Sequence, residues 1–320
     1  MKNSRHAPRI AVIGIGGNAL IGKGQRGTIT EQFANSRKLL KGIVDIIKAG
    51  FMPVIVHGNG PQVGTAMIRV DMALDKAPEV PLGVLVADTE GSMGYMIGQS
   101  LINILRRQGL NRPVTTVLTQ VIVDKNDPSL LNPTKPVGPF YSETEAQKYI
   151  KTRGWNMIED AGRGWRRVVP SPYPLEIVEQ DTIRLLIDNG VIVIAGGGGG
   201  IPVYVEDDNT LEGIDAVIDK DVTSAVLGNA IGAELMVILM GESQVALRYG
   251  RPDQILLGAL TKAEASAYLE QGEFAEGSMA PKIRAAIKFL DEGGQKVIIT
   301  DTNSLLPAFQ DRAGTRIANQ

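Results

Sequence analysis

The sequence predicts an α/β protein: a mostly parallel central sheet with helices on both faces and an inserted, lid-like subdomain. Three observations carry this. Short runs of β-branched and aliphatic residues recur along the whole chain. Most run into glycines or turn residues and then into a stretch with apolar residues at helical spacing, and that repetition requires the crossover connections of a parallel sheet. Between residues 122 and 174 the rhythm stops, in a segment rich in proline and polar groups.

Taken in order, "RIAVIGIGG" reads as a buried strand entering a glycine loop. Residues 30–49 have helical spacing, with Thr30 as the expected cap and Gly50 as the stop. "FMPVIVHGNG" is a second strand with its own glycine loop, and "SMGYMIGQSLINILRRQG" is a helix ended by Gly109. "PVTTVLTQVIVD" reads as a third strand. In the 122–174 subdomain, "GWNMIEDAGRGWRRVVPSPYP" reads as short hairpin strands. "LEIVEQDTIRLLIDNG" is a helix and "VIVIAGGGGG" a fourth strand, ending in the glycines 196–200. "SAVLGNAIGA" is helical and "ELMVILMG" a strand. Residues 251–278 read as a smaller excursion, before the helix "MAPKIRAAIKFLDEGG" and the strand "QKVIITDT".

A length of 320 residues suits one large domain or two lobes. The net charge of −2 provides no overall basic field for nucleic acid or an anionic membrane. With no cysteine, disulfides, thiolate metal sites and cysteine nucleophiles are excluded. Two histidines, His6 and His57, argue against a His-rich zinc site or a Ser–His–Asp triad. "MKNSRHAPR" lacks the apolar core of a signal peptide, and no run of 18 apolar residues occurs, so a cytoplasmic enzyme or binding protein is expected.

The glycine loops carry the chemistry. "GIGGNA" matches the dinucleotide pattern G-x-G-x-x-[GA], but the next strand ends at His57 instead of an acid, which argues against a dinucleotide site. Glycines after a strand also let backbone N–H groups converge on an anion, and a following helix N-terminus adds partial positive charge. Gly16, Gly17 and Asn18 suit that role, as do Gly58, Asn59 and Gly60, with both asparagines as possible side-chain donors. Five glycines at 196–200 carry a large entropy cost, so something is expected to lie against bare backbone there. His57, at a strand end, is expected to be a hydrogen-bonded structural histidine. No G-x-x-x-x-G-K-[ST] motif occurs. Three lysines sit away from ordinary solvated faces: Lys220 between Asp219 and Asp221, Lys282 at a helix start, and Lys135 between prolines on the lid. Phosphoryl transfer needs such cations, because charge spreads over the transferred oxygens.

Together "GGNAL", "HGNGPQVG", "NPTKPVGPFYS", "EDAGRGWRRVVPSP", "AGGGGGIPV", "AVIDKD" and "GSMAPK" resemble the carbamate kinases of the amino acid kinase superfamily, in order from about residue 10 to residue 317. The resemblance implies a three-layer αβα sandwich and a homodimer. It implies an N-lobe (8–215) for carbamate or carbamoyl phosphate and a C-lobe (216–320) for ATP or ADP with Mg²⁺. ATP and carbamate would interconvert with ADP and carbamoyl phosphate, in the ATP-forming direction of arginine or ureide breakdown. Gly16, Gly17 and Asn18 would bind the transferred group. Gly58, Asn59 and Gly60, with Gly197, Gly198 and Gly199, would hold the carbamoyl group. Lys220 and Lys282 would contact the nucleotide phosphates and stabilise the transition state, Asp221 would orient both, and Lys135 would reach down from the lid. Met240, Gly241, Tyr249, Gly277, Ser278 and Met279 would line the nucleotide side. Alanine at Gly198 or Gly199 is then expected to weaken carbamoyl phosphate use more than ADP binding. The segment "LMGESQVALRYGRP" departs from the family pattern, and Glu242, Glu273 and Glu276 add negative charge. These departures keep open a non-catalytic relative that binds carbamoyl phosphate in a regulatory or assembly role.

Overall fold

A computed structural model of the chain describes residues 7–22, 24–160, 164–276 and 278–320, with Asn18 represented by its backbone. At its centre lies an eight-stranded sheet. In chain order the strands are β1 (Arg9–Ile15), β2 (Phe51–His57), β3 (Val114–Thr116) and β4 (Ile192–Ile194). They are followed by β5 (Leu235–Met240), β6 (Ala259–Thr261), β7 (Lys296–Asp301) and β8 (Thr315–Ala318). Their order in space is β6-β8-β7-β5-β1-β2-β4-β3, and every pairing is parallel except β7 with β8. All seven residues of β2 are buried, as expected of a strand covered on both faces. The strands from residues 8–215 fill one half of the sheet and those from 216–320 the other, meeting where β1 pairs with β5.

The helices are α1 (Ile29–Lys48), α2 (Gly60–Ala73), α3 (Leu82–Arg107), α4 (Glu143–Arg153) and α5 (Gln180–Asp188). Then come α6 (Lys220–Ala230), α7 (Lys262–Glu270), α8 (Ala280–Asp291) and α9 (Leu305–Phe309). α1 packs on α3 and α9, while α6 and α7 pack on α8. On the α6 side, Gly228 leaves room for Val12 of β1 and Phe289 of α8, and Gly14 lies under Ser224. The result is a three-layer αβα sandwich. The subdomain is a three-stranded antiparallel sheet of Lys135–Tyr141, Trp165–Val169 and Met157–Glu159, together with α4.

Several sequence expectations are corrected. Thr28, not Thr30, caps α1: its hydroxyl accepts the Glu31 N–H and the Glu31 carboxylate accepts the Thr28 N–H, a capping box. "PVTTVLTQVIVD" is two strands in two sheets, β3 and Gln120–Ile122. The chain leaves the main sheet after Val117, where Thr119 is drawn to Glu90 of α3. The helix expected from residue 92 begins at Leu82, and α2 was not foreseen. The helix expected over 175–190 shortens to α5, because Glu176–Ile177 pairs with Gln120–Ile122. The excursion at 251–278 contributes β6 to the main sheet.

Candidate active site

β1, β2 and β4 are neighbours in the sheet, and their registers bring their carboxyl ends close together: Ile15 pairs with His57, and Ile55 with Ile194. The loops 16–18, 58–60 and 196–200 therefore emerge side by side. The Gly58 N–H donates to the Ile15 carbonyl at 2.8 Å. A Cβ on Gly17 would meet the Gly58 carbonyl oxygen at 3.0 Å, and one on Gly58 would meet Cδ of Lys220 at 3.0 Å. The first loop, the second loop and the Lys220 stem thus stack without intervening side chains.

α6 aims its N-terminus into this place. Asp219 caps it, its Oδ1 accepting the Asp221 N–H at 2.9 Å. Asp221, buried one position past Lys220, accepts Lys220 Nζ on Oδ1 and Lys282 Nζ on Oδ2, the latter at 3.1 Å. Lys135 arrives from the subdomain and donates to the Ile218 carbonyl at 3.0 Å and to Asp219 Oδ2 at 3.3 Å. Three lysines separated by up to 147 positions in "NPTKPVG", "AVIDKD" and "GSMAPK" therefore share two aspartates. Burial alone would push the Asp221 carboxyl up, but Lys220 and Lys282 outweigh it and hold it below the usual range. Burial would likewise push Lys282 down, yet Asp221 wins and raises it, so its ammonium persists well above neutral pH. Asp219 is held low against its own burial, chiefly by Lys135 and Lys220.

On the C-terminal side, Met240 ends β5, Gly241 and Tyr249 are exposed, and Ser278 lies next to the start of α8, its carbonyl accepting Lys282 Nζ at 3.2 Å. The Met279 side chain is buried in the main core instead of facing an open surface. Gly277 lies outside the described residues. Two of the added acids have partners: Glu276 pairs with Arg284 at 2.6 Å, and Glu242 accepts from the Tyr249 hydroxyl at 2.9 Å.

The five glycines also have a reason inside the protein. The directions their side chains would take are filled from within the protein. A Cβ on Gly197 would lie 2.6 Å from His57 Nε2, on Gly198 2.3 Å from Asn59 Nδ2, on Gly199 2.4 Å from the Ile218 carbonyl oxygen, and on Gly200 2.1 Å from Val121 Cγ2. Asn59 is equally committed: it is buried and donates to Thr89 Oγ1 at 2.8 Å, pinning the second loop to α3. His57 is buried, and loss of water pulls its pKa down to about 4, so it stands as a neutral imidazole wedged against the Gly197 turn.

Sequence reasoning missed the residues that hold this loop. Glu90 Oε2 accepts the Thr119 N–H at 2.8 Å, Thr119 Oγ1 accepts the Gly196 N–H at 2.8 Å, and Thr223 Oγ1 donates to the Gly199 carbonyl at 2.7 Å. An acid mid-helix in "ADTEGSMG" has no local signal for such a role, whereas an Asp before a helix, as at Asp219, is a legible cap. Burial pushes the Glu90 carboxyl up to about 9, so it is neutral near pH 7. The unfolded chain releases that proton near the ordinary 4.5 while the folded chain keeps it, so this group's contribution to stability falls as pH rises from 4.5 to about 9. Glu90→Gln removes the titration, so its thermal midpoint is expected to decline less across that window than the parent's. Equal slopes would show that Glu90 folds ionised.

An αβα sandwich with glycine loops and paired lysines at its strand ends is the arrangement of a small-molecule kinase. The chain belongs to the amino acid kinase family, whose sequence profile matches residues 9–301. Its full-length relatives include carbamate kinases and a carbamate kinase-like protein of Escherichia coli. It is 47% identical over 312 residues to the carbamate kinase of Thermococcus kodakarensis, covering 97% of this chain and 99% of the relative. It is 46% identical to that of Pyrococcus horikoshii, with the same coverage. The structure of Giardia lamblia carbamate kinase bound to AMP-PNP superimposes with a TM-score of 0.90 at 40% identity, covering 98% of this chain and 99% of the other.

Proposed function

We propose that the chain transfers a phosphoryl group reversibly between ATP and carbamate, giving ADP and carbamoyl phosphate. The observation that carries this reading is Asp221 bridging Lys220 and Lys282 beside three glycine loops on adjacent strands. On this reading the loop at 16–18 binds the transferred group, and the loop at 58–60 with Gly197, Gly198 and Gly199 binds the carbamoyl group, through backbone N–H donors. Lys220 and Lys282 meet the charge that develops on the equatorial oxygens, and Asp221 fixes both ammonium groups before substrate arrives, so little reorganisation is needed during transfer. The attacking oxygen comes from the substrate, so no protein nucleophile is required. Lys135 covers the site from the subdomain.

Mg²⁺ fits as a passenger on the nucleotide. The site's carboxylates are taken up by lysines, and among the described residues no group of three or more His, Cys, Asp or Glu is placed to hold a metal. When bound through phosphate oxygens, the ion neutralises phosphate charge. Residues 8–215 form the carbamate lobe and 216–320 the nucleotide lobe, matching the two halves of the sheet. The chain is a cytoplasmic homodimer running toward ATP. The resemblance to carbamate kinases supports that reading.

The test is a coupled assay with carbamoyl phosphate, ADP and Mg²⁺, in which ATP is expected to form. Folded protein that binds carbamoyl phosphate but makes no ATP would replace this reading with a non-catalytic, ligand-binding role.

A further inference from the structure

We propose that Gly64 of α2 is a positioning residue for Lys135, through a backbone-to-backbone contact with Gly138 that sets how the subdomain sits over the site; this rests on the function proposed above. α2 begins at Gly60, inside the second glycine loop, so its start belongs to the substrate side. A Cβ on Gly64 would lie 2.2 Å from Gly138 Cα and 2.5 Å from Gly138 N. Those are main-chain atoms and cannot rotate away, so any side chain at Gly64 must push the strand Lys135–Tyr141 outward.

Two further contacts make α2 a strut along the subdomain. Seven residues on from Gly64, two turns along the same helix face, Asp71 accepts Arg153 Nη1 on Oδ1 at 3.3 Å and Arg153 Nη2 on its carbonyl at 3.3 Å. Val63 and Met67 join Val137 and Val169 in a small apolar cluster separate from the main core. Lys135 stands two residues before Val137 on that strand, so it and Val137 point to the same side of the strand. Its ammonium then has one reach to Asp219 and the Ile218 carbonyl. Moving the strand by the space of one methyl group is expected to lengthen that reach and weaken both contacts.

Both tryptophans of the chain, Trp155 and Trp165, lie in the subdomain, so intrinsic emission reports it alone. Gly64→Ala is expected to lower turnover in the ATP-forming assay about tenfold or more, to leave ADP affinity within about twofold, and to shift tryptophan emission. In a Lys135→Ala background the same change is expected to cost nothing further, because its only effect on turnover runs through that lysine. Should Gly64→Ala fail to fold, Arg153→Gln, which loosens the same strut at its far end, is expected to lower turnover a few-fold with the same dependence on Lys135. Losses that multiply with that of Lys135→Ala, or unchanged turnover, would overturn the proposal. If the parent protein makes no ATP, the functional reading fails by itself. Tryptophan emission unchanged by Gly64→Ala would then overturn the contact independently.

Discussion

Lys282→Ala is expected to lower turnover roughly a hundred- to a thousandfold, the usual cost of deleting one group that stabilises developing charge. The fold should survive, because Asp221 keeps Lys220 as a partner and is not left buried without a counter-charge. The expected signature is therefore a large fall in turnover with a thermal midpoint within a few degrees of the parent. Lys220→Ala should resemble it, with an added loss of order in the second loop, since the Lys220 stem lies against Gly58. The double variant should cost less than the product of the single losses, because one carboxylate organises both ammonium groups. Turnover within threefold of the parent for either single variant would remove these lysines from the chemistry.

Gly200→Ala is the largest expected effect on stability. Gly200 has φ 95° and ψ 160°, a region that only glycine enters without strain. Its Cβ would also sit 2.1 Å from Val121 Cγ2. Strain and overpacking each cost about 1–3 kcal/mol, so a loss of about 3 kcal/mol or more is expected. For a chain of 320 residues that lowers the thermal midpoint by roughly 4–5 °C or more, read by calorimetry. By contrast, Gly60→Ala meets nothing within 4 Å and should leave stability nearly unchanged. A stable Gly200→Ala protein that has lost carbamoyl phosphate use would point to the direct ligand role that the sequence suggested for this run. The proposed roles of Gly197, Gly198 and Gly199 are tested the same way, by measuring stability and ligand use separately for each alanine variant.

Much of this protein was legible in its residues. Apolar runs of β-branched residues marked β1, β2, β4, β5 and β7, because strands buried on both faces have no polar alternation to blur them. Lys135, Lys220 and Lys282, which the structure brings onto Asp219 and Asp221, were singled out by their setting between prolines, between aspartates or at a helix start. Elements went astray where local pattern and tertiary pairing disagreed. α2, "GPQVGTAMIRVDMA", carries two glycines and a proline that weaken its helical signal, and packing along the subdomain supplies what propensity lacks. Thr30 and Thr28 are equally good caps by type, and the reciprocal bond to Glu31 selects Thr28.

By itself the sequence determined the alternation of strands and helices, the three glycine loops and the cations available for phosphoryl transfer. Each of these depends on residues within a few positions of one another. Only the tertiary structure decided which atoms fill the space beside the five glycines, that Asn59 holds α3 through Thr89, and that Lys135 meets Asp219 across 84 positions of chain. Those facts depend on which strands become neighbours and in what register. A glycine run records that space is needed, while the side chains that fill the space come from elements far away in sequence.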